Sequence, residues 1–320
     1  MESSDKDIRP ILFVLLGPTG VGKTKVAIKV ARHLGVPVIN ADSRQIFAEI
    51  PIGTAAPTKQ EQSEVKHYFV GSHHLDDYYS AASYEDDVMT LLPQLFAAQE
   101  QHSDSKFSKP CALLSGGSMM YVDAVCKGID NIPTIDAGTR AEMKQRLAEQ
   151  GLPALVEELK RLDPEYWKIV DRNNPRRVVH ALEICHMTGR TYTSFRTNSV
   201  KQRPFQIVKI GLNRPREEMY DRINKRVLQM VDEGLIDEAL KVYSKRDLNA
   251  LNTVGFKEMF NYLDGLVTLQ ETIKQIQSNT RQYMRKQLTW FKKDNTITWF
   301  NPEETDKIND YIDANLRKRD

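Results

Sequence analysis

The sequence predicts an α/β protein, in which a parallel β-sheet has helices on both faces and the core is interrupted by an inserted all-helical domain. Three observations lead to this fold class. Short apolar runs alternate with segments of helical periodicity, a glycine-rich segment joins the first run to the first helix, and the middle of the chain carries helical patterns alone. Alternating strands and helices are typical of βαβ units, whose crossover helices cover the faces of a parallel sheet.

The first strand is predicted over 11–16, an uninterrupted apolar run of the kind found in parallel strands buried on both faces. A helix follows over 25–34, because Val26, Val30 and Leu34 fall on one helical face. The other predicted strands are 36–39, 111–114 and 205–212. The other predicted helices are 88–99, 139–150, 152–162, 175–188, 216–243 and 269–293.

The predicted domain organisation is a core in two parts around the helical insertion. Residues 1–130 form the first part of the core, 131–203 form the insertion, and 204–320 complete the core and add basic helices. Within the insertion, Gly151 is expected to separate two helices. The polar segment 101–109 is predicted to be a mobile loop.

The composition is that of an ordinary globular protein, with 40% hydrophobic and 28% charged residues among 320. This is enough apolar material to bury a core, so a disordered chain is excluded. The formal net charge of +2 argues against a protein that coats nucleic acid by charge alone. The charge is unevenly distributed, because residues 1–130 carry 12 Lys+Arg and 16 Asp+Glu and the remainder has a net charge of +6.

The cysteines give a prediction about the compartment. Cys111, Cys126 and Cys185 are an odd number and form no C-x-x-C pair. A disulfide framework or a structural zinc site is therefore not expected, and a reducing compartment such as the cytoplasm is. The apolar run 11–16 is too short for a signal sequence or a membrane span. The histidines, including the adjacent pair 73–74, lack metal-ligand spacing.

Residues 17–24 read GPTGVGKT and match the phosphate-binding pattern G-x-x-x-x-G-K-[ST]. Glycines allow a tight loop whose backbone N–H groups point at phosphate oxygens, Lys23 adds a point charge, and the Thr24 hydroxyl is a ligand for Mg²⁺. Because the motif stands between a buried strand and a helix, we expect a P-loop NTPase-like sheet that binds a diphosphate or polyphosphate. The alternative is a glycine-rich turn that only caps the helix. The candidate residues are Gly17, Pro18, Thr19, Gly20, Val21, Gly22, Lys23 and Thr24.

The end of the third predicted strand bears on which phosphate chemistry follows. A nucleotide-hydrolysing switch normally needs a strand that ends in Asp to hold Mg²⁺. Here residues 113–117 read LLSGG and contain no acid. ATPase or GTPase activity is therefore disfavoured, whereas the glycines suit a close approach of the backbone to a ligand.

Asp42 follows the second predicted strand, and ligands of open parallel sheets lie beyond the carboxyl ends of the strands. A carboxylate beside bound phosphate suits general-base catalysis or Mg²⁺ coordination. Ser43 and Gln45 can form hydrogen bonds with a nucleobase edge, and Arg44 can contact a phosphate. The alternative is that Asp42 caps the N-terminus of a helix.

Two basic segments are candidates for contact with nucleic acid. Arg176 and Arg177 lie in the first turn of a predicted helix. Arg281 and Arg285 lie four residues apart on another helix, with Trp290 close by. Basic residues interleaved with aromatic side chains suit a phosphate backbone and stacked bases, although a solvated helix face is the commoner meaning of such runs.

Taken together, these segments resemble the tRNA dimethylallyltransferase (tRNA isopentenyltransferase, or IPP transferase) family, specifically its bacterial members. The matching segments are GPTGVGKT at 17–24, ADSRQIF at 41–47, IGTAAPT at 52–58, GGSMMYVDAV at 116–125, NNPRRVVHALEICHMTGR at 173–190, LNTVGFKEMFNYLDG at 251–265 and TRQYMRKQLTWF at 280–291. The resemblance implies a P-loop core with an inserted, tRNA-facing helical domain. It also implies transfer of a dimethylallyl group from dimethylallyl diphosphate to the exocyclic N6 amine of the adenosine 3′-adjacent to the anticodon, with Mg²⁺ as cofactor.

The resemblance also implies roles for particular residues. Lys23, Thr24 and Mg²⁺ would hold the diphosphate leaving group, and Asp42 would accept the proton of the amine. Ser118 and Arg140 are the expected contacts near the diphosphate and the tRNA. The residues expected to contact tRNA are Asp42, Ser43, Arg44, Gln45, Arg176, Arg177, Val178, Val179, His180, Asn252, Thr253, Val254, Gly255, Phe256, Lys257, Arg281 and Arg285. A monomer that needs neither a membrane nor a protein partner is expected.

The sequence departs from the family pattern at three positions. Ser118 replaces the usual Thr and keeps a hydroxyl. His180 replaces an Arg, which removes a permanent positive charge, and Ala56 stands where a Lys usually precedes Pro57.

Three other functions stay open at this point. Adenylate isopentenyltransferases, which act on free AMP, ADP or ATP, usually have a different acid motif after the second strand and do not need a basic C-terminal helix. A P-loop small-molecule kinase shares the strand-end Asp but should show an arginine-rich lid. A nucleotide-gated RNA-binding switch, the non-enzymatic alternative, is disfavoured by the missing acid at the third strand.

Overall fold

The computed structural model describes residues 9–100, 107, 109–197 and 199–317. Within these ranges the chain forms two compact units. One unit extends to Cys126 and resumes at Gln202, and the other is Lys127–Lys201. The sequence placed the insertion at 131–203, and most of the predicted loop 101–109 lies outside the described residues.

The first unit is built on a parallel sheet, which has six strands in the described residues, in the order β3-β2-β4-β1-β5-β6. The strands are β1 Ile11–Leu16, β2 Val38–Ala41, β3 His67–Tyr68, β4 Cys111–Gly116, β5 Gln206–Leu212 and β6 Ile297–Phe300. The first strand lies between β4 and β5 and is buried along its whole length. Such a strand must be apolar at every position, which the run ILFVLL satisfies.

Helices cover both faces of this sheet, which confirms the predicted fold class. The α-helices are α1 Lys23–Leu34, α2 Lys59–Glu64, α3 Ala81–Glu100, α4 Met119–Lys127, α5 Ala137–Leu162, α6 Pro164–Ile169, α7 Pro175–Thr188, α8 Arg216–Asp232, α9 Leu235–Lys241, α10 Phe256–Leu263, α11 Leu269–Phe291 and α12 Thr305–Leu316. Odd positions of β1, such as Phe13, pack with α1 and α12. Even positions, such as Val14, pack with α3 and α4.

A third apolar cluster in the same unit contains no residue of the sheet strands described above. It joins α8, α9, α10 and α11 to the segment after β2, through buried residues such as Ile46, Ile50 and Phe256. This cluster supports the loops that follow β2 and precede α10, and both loops belong to the candidate site described below.

The observed elements differ from the predicted ones where single residues redirect the backbone. The helix predicted over 216–243 is broken into α8 and α9 at Gly234, whose φ of 103° is left-handed. The second strand begins at Val38 rather than at 36, because the Val36 N–H donates to the Ala31 carbonyl and closes α1. Gly151, with φ 76°, kinks α5 where the sequence predicted a break.

The helical unit has a core of its own formed by α5, α6 and α7. Asp163, almost fully buried, organises it. Its carboxylate accepts hydrogen bonds from Tyr166 N–H and from both the N–H and the hydroxyl of Thr193, at 2.7–3.0 Å. None of the helices in the described ranges combines the length and apolar character that crossing a membrane requires.

Candidate active site

The candidate site is a crevice of about 1020 Å³ at the carboxyl ends of β1, β2 and β4. Three loops meet there: the loop 17–22 after β1, Asp42 after β2, and Gly116 with Gly117 at the end of β4. This is the edge at which an open parallel sheet binds its ligands. Side chains of α8 and α11 and the loop before α10 form the opposite walls.

The glycine-rich loop has the backbone that phosphate binding requires. Gly20 and Gly22 have φ of 82° and 98°, a left-handed conformation that favours glycine. Thr19, Gly20, Gly22, Lys23 and Thr24 line the crevice, and Lys23 Nζ donates to the Pro18 carbonyl at 2.9 Å. The charge of Lys23 and the first turn of α1 are thereby directed at one place.

Three residues of the predicted phosphate loop do not line the crevice. Val21 is fully buried in the core, and an added Cβ at Gly17 would lie 2.7 Å from the Leu212 carbonyl oxygen. With Pro18, these residues shape the loop from behind, and the phosphate contact expected through the backbone of 17–24 stays a prediction for them.

Lys23 lies at the floor of the crevice, where burial lowers its pKa to about 8. The Asp42 carboxylate partly opposes this effect and Arg226 adds to it. The ammonium ion is therefore short of counter-charge, and an anion bound in the loop would raise its pKa again. The arrangement favours binding of a highly charged phosphate group.

Asp42 faces the crevice and is held by the turn that follows it. Its Oδ1 accepts hydrogen bonds from Arg44 N–H at 2.9 Å and Gln45 N–H at 3.4 Å. The carboxylate therefore caps a turn and not a helix, and the same residue lines the crevice together with Lys23. Because Oδ1 is engaged, Oδ2 is the oxygen best placed to accept a proton.

The loop after β2 forms one wall, and polar side chains fix its backbone. Gln45 Nε2 donates to the carbonyls of Thr54 and Ala55, both at 3.1 Å. Glu238 accepts the N–H groups of Ile52 and Gly53 at 2.8 and 2.7 Å. The Gln45 amide thus supports the wall, which changes the role expected for it from direct readout of a base to support of the site.

Two arginines of α8 are part of the site and were missed in the sequence. Arg222 and Arg226 line the crevice, and Arg222 Nε donates to the Gly20 carbonyl at 2.8 Å. Burial lowers the pKa of Arg226, while Asp42 opposes this effect. Their spacing of four residues on one helix was a signal, but it could not be told from a solvated helix face without the fold.

Tyr283 of α11 is a further crevice residue that the sequence did not single out. Burial and the nearby Asp42 raise its pKa to about 12, with Arg44 opposing. A neutral phenol ring beside the carboxylate supplies an aromatic surface on which a base can stack.

The turn after β4 brings glycine rather than a catalytic side chain to the crevice. Ser115, Gly116 and Gly117 line it, whereas Ser118 is buried and its N–H donates to the Ala41 carbonyl at 3.2 Å. Ser118 therefore supports the turn next to the crevice-lining Gly117, and the contact expected for it near the diphosphate stays a prediction.

The segment before and into α10, which was expected to contact tRNA, largely lines the crevice. Asn252, Thr253, Val254, Gly255 and Lys257 lie on its wall. The intervening Phe256 is fully buried. An added Cβ at Gly53 would lie 2.5 Å from the Phe256 ring, so this ring packs against the loop after β2. Phe256 therefore cannot contact tRNA, and that part of the prediction is wrong.

The helical unit carries the other residues expected to contact tRNA. Arg140 on α5 and Arg176 and Arg177 on α7 are exposed. Val178 is fully buried in the core of this unit, and Val179 packs partly against it. Val178 is therefore wrong as a tRNA contact, because the helical period turns it inward. His180 lies with Nδ1 3.5 Å from Glu183 Oε2 and its ring against Tyr192.

Arg281 and Arg285 join α11 to α8. Arg281 donates to Asn224 Oδ1 at 2.6 Å, and Arg285 donates to the Tyr220 hydroxyl at 2.7 Å. Arg285 also borders an exposed pocket with Lys286 and Trp290. Neither arginine lines the main crevice. Their contact with tRNA stays a prediction, and it would take place at the outer surface of α11.

A metal ion here would have few protein ligands. In the described part of the chain, no group of three or more His, Cys, Asp or Glu side chains is placed to hold one. Mg²⁺ commonly binds through one or two protein oxygens together with substrate phosphates and waters. The Thr24 hydroxyl and the Asp42 carboxylate, both lining the crevice, fit that type of site.

Comparison with known proteins gives concordant results. A family model described as IPP transferase matches residues 45–294. The chain is 56% identical over 306 residues to tRNA dimethylallyltransferase 1 of Bacteroides fragilis (strain YCH46). The aligned residues cover 96% of this chain and 98% of that protein. It is 53% identical over 292 residues to tRNA dimethylallyltransferase 1 of Porphyromonas gingivalis (strain ATCC BAA-308 / W83), covering 91% and 94%.

Solved structures show the same fold. The crystal structure of full-length tRNA isopentenylpyrophosphate transferase from Bacillus halodurans superposes with a TM-score of 0.68 at 35% identity, covering 95% of this chain and 96% of that one. A eukaryotic dimethylallyltransferase acting on tRNA has a TM-score of 0.75, covering 97% of this chain and 81% of that one. At 22% identity the second likeness shows the fold alone.

Proposed function

The chain belongs to the IPP transferase family and is an enzyme of tRNA prenylation, and we propose that it transfers the dimethylallyl group of dimethylallyl diphosphate to the N6 amine of the adenosine on the 3′ side of the anticodon. One observation carries the proposal: a phosphate-binding loop and the Asp42 carboxylate line the same crevice. The loop suits a diphosphate that leaves, and the carboxylate suits an amine that attacks.

The cationic groups of the crevice would stabilise the leaving diphosphate. Lys23, Arg222 and Arg226 supply positive charge from two sides, and backbone N–H groups of the loop supply further donors. Charge accumulates on the diphosphate as its bond to the allylic carbon breaks, so these contacts strengthen in the transition state. The pKa of Lys23, about 8 in the free protein, would rise beside this charge.

Mg²⁺ fits the same site as a cofactor. The Thr24 hydroxyl would hold it together with diphosphate oxygens, and bound there it supplies further neutralisation of the leaving group. No Asp at the end of β4 is needed to hold the ion, because the Thr24 hydroxyl and the oxygens of the diphosphate would supply ligands, and the diphosphate is expelled and not hydrolysed.

Asp42 would act on the acceptor. The adenine N6 forms a bond to the terminal allylic carbon, the carbon–oxygen bond breaks with its electron pair going to the diphosphate, and the N6 proton passes to the Asp42 carboxylate. The turn that fixes Oδ1 leaves Oδ2 for this transfer. Product release would return the proton to solvent.

The acceptor base must leave its stack to reach the crevice. Bases of a single-stranded anticodon loop cost the least to extrude, which favours that part of tRNA. Tyr283 offers an aromatic surface, and Asn252, Thr253 and Lys257 offer polar groups in the same crevice. The exposed Arg176 and Arg177 of the helical unit suit contact with the phosphate backbone.

A labelled transfer assay tests the proposal. The protein is incubated with Mg²⁺ and dimethylallyl diphosphate labelled in the allyl group, with unmodified tRNA or AMP as acceptor. We expect label in tRNA at the adenosine 3′ to the anticodon and none in AMP. Label only in AMP would assign the chain to the free-nucleotide enzymes, and transfer of phosphate from ATP without prenylation would assign it to the kinases.

A further inference from the structure

Gln287 of α11 connects the two loops between which the diphosphate is proposed to bind. Its Oε1 accepts the Thr19 N–H at 2.9 Å, and its Nε2 donates to the Gly117 carbonyl at 2.7 Å. We propose that Gln287 is a positioning residue, which holds the phosphate loop and the β4–α4 turn in the geometry that binds the diphosphate. The inference rests on the proposed function, since it deepens the role of the same site.

The polarity of the two partners fixes the orientation of the Gln287 amide. The Thr19 N–H is a donor and the Gly117 carbonyl an acceptor, so a carboxamide satisfies both and a carboxylate satisfies only one. The side chain is 2% exposed, and water therefore cannot replace either bond without opening the site. Gln287 lines the crevice together with Gln282 and Lys286 of the same helix, but those two side chains are exposed, whereas Gln287 is buried and bonded to both loops.

The contact is close enough to transmit displacement to Lys23. A Cβ added at Gly117 would lie 2.7 Å from Gln287 Nε2 and 3.3 Å from both Lys23 Nζ and the Gly17 carbonyl oxygen. The turn, the amide and the ammonium group are therefore packed against one another around Gly117. A shift of the Gln287 side chain moves the loop that carries the phosphate-binding N–H groups and the turn that confines Lys23.

The experiment uses the full-length protein and compares two variants with a matched control. Gln287→Met keeps the length of the side chain and removes both hydrogen bonds. Gln287→Glu keeps the acceptor for Thr19 and removes the donor for Gly117. The control is Gln277→Met on the same helix, which removes one side-chain bond to the Asn224 carbonyl away from the crevice.

Four quantities are measured: the Kd for inorganic pyrophosphate with Mg²⁺, kcat and KM for dimethylallyl diphosphate with saturating tRNA, and the Tm. For Gln287→Met we expect Kd and KM to rise about tenfold, with a fall in kcat, because a loop that keeps its binding geometry in only about a tenth of the molecules binds about tenfold more weakly. Gln287→Glu should weaken binding further, because its charge lies near the diphosphate site. Gln277→Met should change neither Kd nor kcat, and its Tm should fall less than that of Gln287→Met because it loses one bond and not two.

The outcomes separate this inference from the proposed function. Wild-type affinity and turnover in either folded Gln287 variant would overturn the positioning role, as would equal losses in Gln277→Met. If Gln287→Met fails to fold, Gln287→Glu decides alone, because it is isosteric. Pyrophosphate binding does not depend on the acceptor, so a wild-type protein that binds pyrophosphate and prenylates nothing would refute the function and leave the Kd comparison valid.

Discussion

Replacement of Asp42 by Asn should separate binding from catalysis. The carboxylate uses Oδ1 to accept the Arg44 and Gln45 N–H groups. The Asn carbonyl can accept the same two bonds, so the turn after β2 should persist. The atom that replaces Oδ2 is an NH₂ group, which cannot accept a proton. We expect a folded protein that binds tRNA normally and turns over slowly.

The size of the effect follows from the role proposed for Asp42. A positioned general base contributes about 10²–10⁴-fold to a rate, and kcat should fall by that factor. A second effect follows from the charge. Asp42 raises the pKa of Lys23 against the effect of burial, so without it that pKa should fall below about 8. The affinity for dimethylallyl diphosphate should then decline at a lower pH than in the wild-type protein.

Single-turnover transfer to tRNA with saturating donor measures the rate, and filter binding measures the tRNA affinity. Asp310→Asn, an exposed position on α12, is the control for the same chemical change. A rate within about threefold of wild type would remove Asp42 as the base, since it is far from the expected loss. A large loss of tRNA affinity would show that the turn depends on the charge and not on the Oδ1 bonds.

Three further outcomes are expected. Binding of dimethylallyl diphosphate at pH 9 should take up protons, because Lys23 has a pKa of about 8 in the free protein and gains an anionic partner. Well below pH 8, where Lys23 is already protonated, the uptake should vanish. Calorimetry in buffers of different ionisation enthalpy measures the number of protons taken up. Gly53→Ala places a Cβ 2.5 Å from the Phe256 ring and should lower the stability by about 1–3 kcal/mol in denaturant unfolding; an unchanged midpoint would contradict the close contact. Asp163→Asn removes an acceptor from Thr193 and should lower the stability of the helical unit by about 1–3 kcal/mol. Hydrogen exchange should become faster in that unit alone.

The sequence was sufficient for the parts of the fold that local pattern determines. The run 11–16 is β1, and the helix predicted over 175–188 is α7, because Asn174 caps it and Gly189 ends it. The two-residue strand β3 was missed because it is too short to show a period, and the four-residue strand β6 was missed as well. Their positions depend on pairing with β2 and β5, which are distant in the sequence.

The residues of the candidate site also differ in whether local sequence or distant contacts place them. Lys23, Thr24 and Asp42 could be predicted because the motif and the strand end place them locally. Gln287 could not, since its two partners are 268 and 170 residues away along the chain. Phe256 was wrongly assigned to tRNA because a matching segment was carried over as a block, although its helical period turns apolar residues toward the core.

The phosphate loop depends on the C-terminal half of the chain. The Thr19 N–H is bonded to Gln287, the Gly20 carbonyl to Arg222 and the Val21 carbonyl to Arg214. Each of these backbone groups has its partner on the chain after residue 202, and the chain before Cys126 supplies none of the three. The motif of residues 17–24 therefore specifies a phosphate loop only together with α8 and α11. The net charge of +6 after residue 130 includes the arginines that complete this loop, so the basic half of the protein serves the donor site as well as any RNA surface.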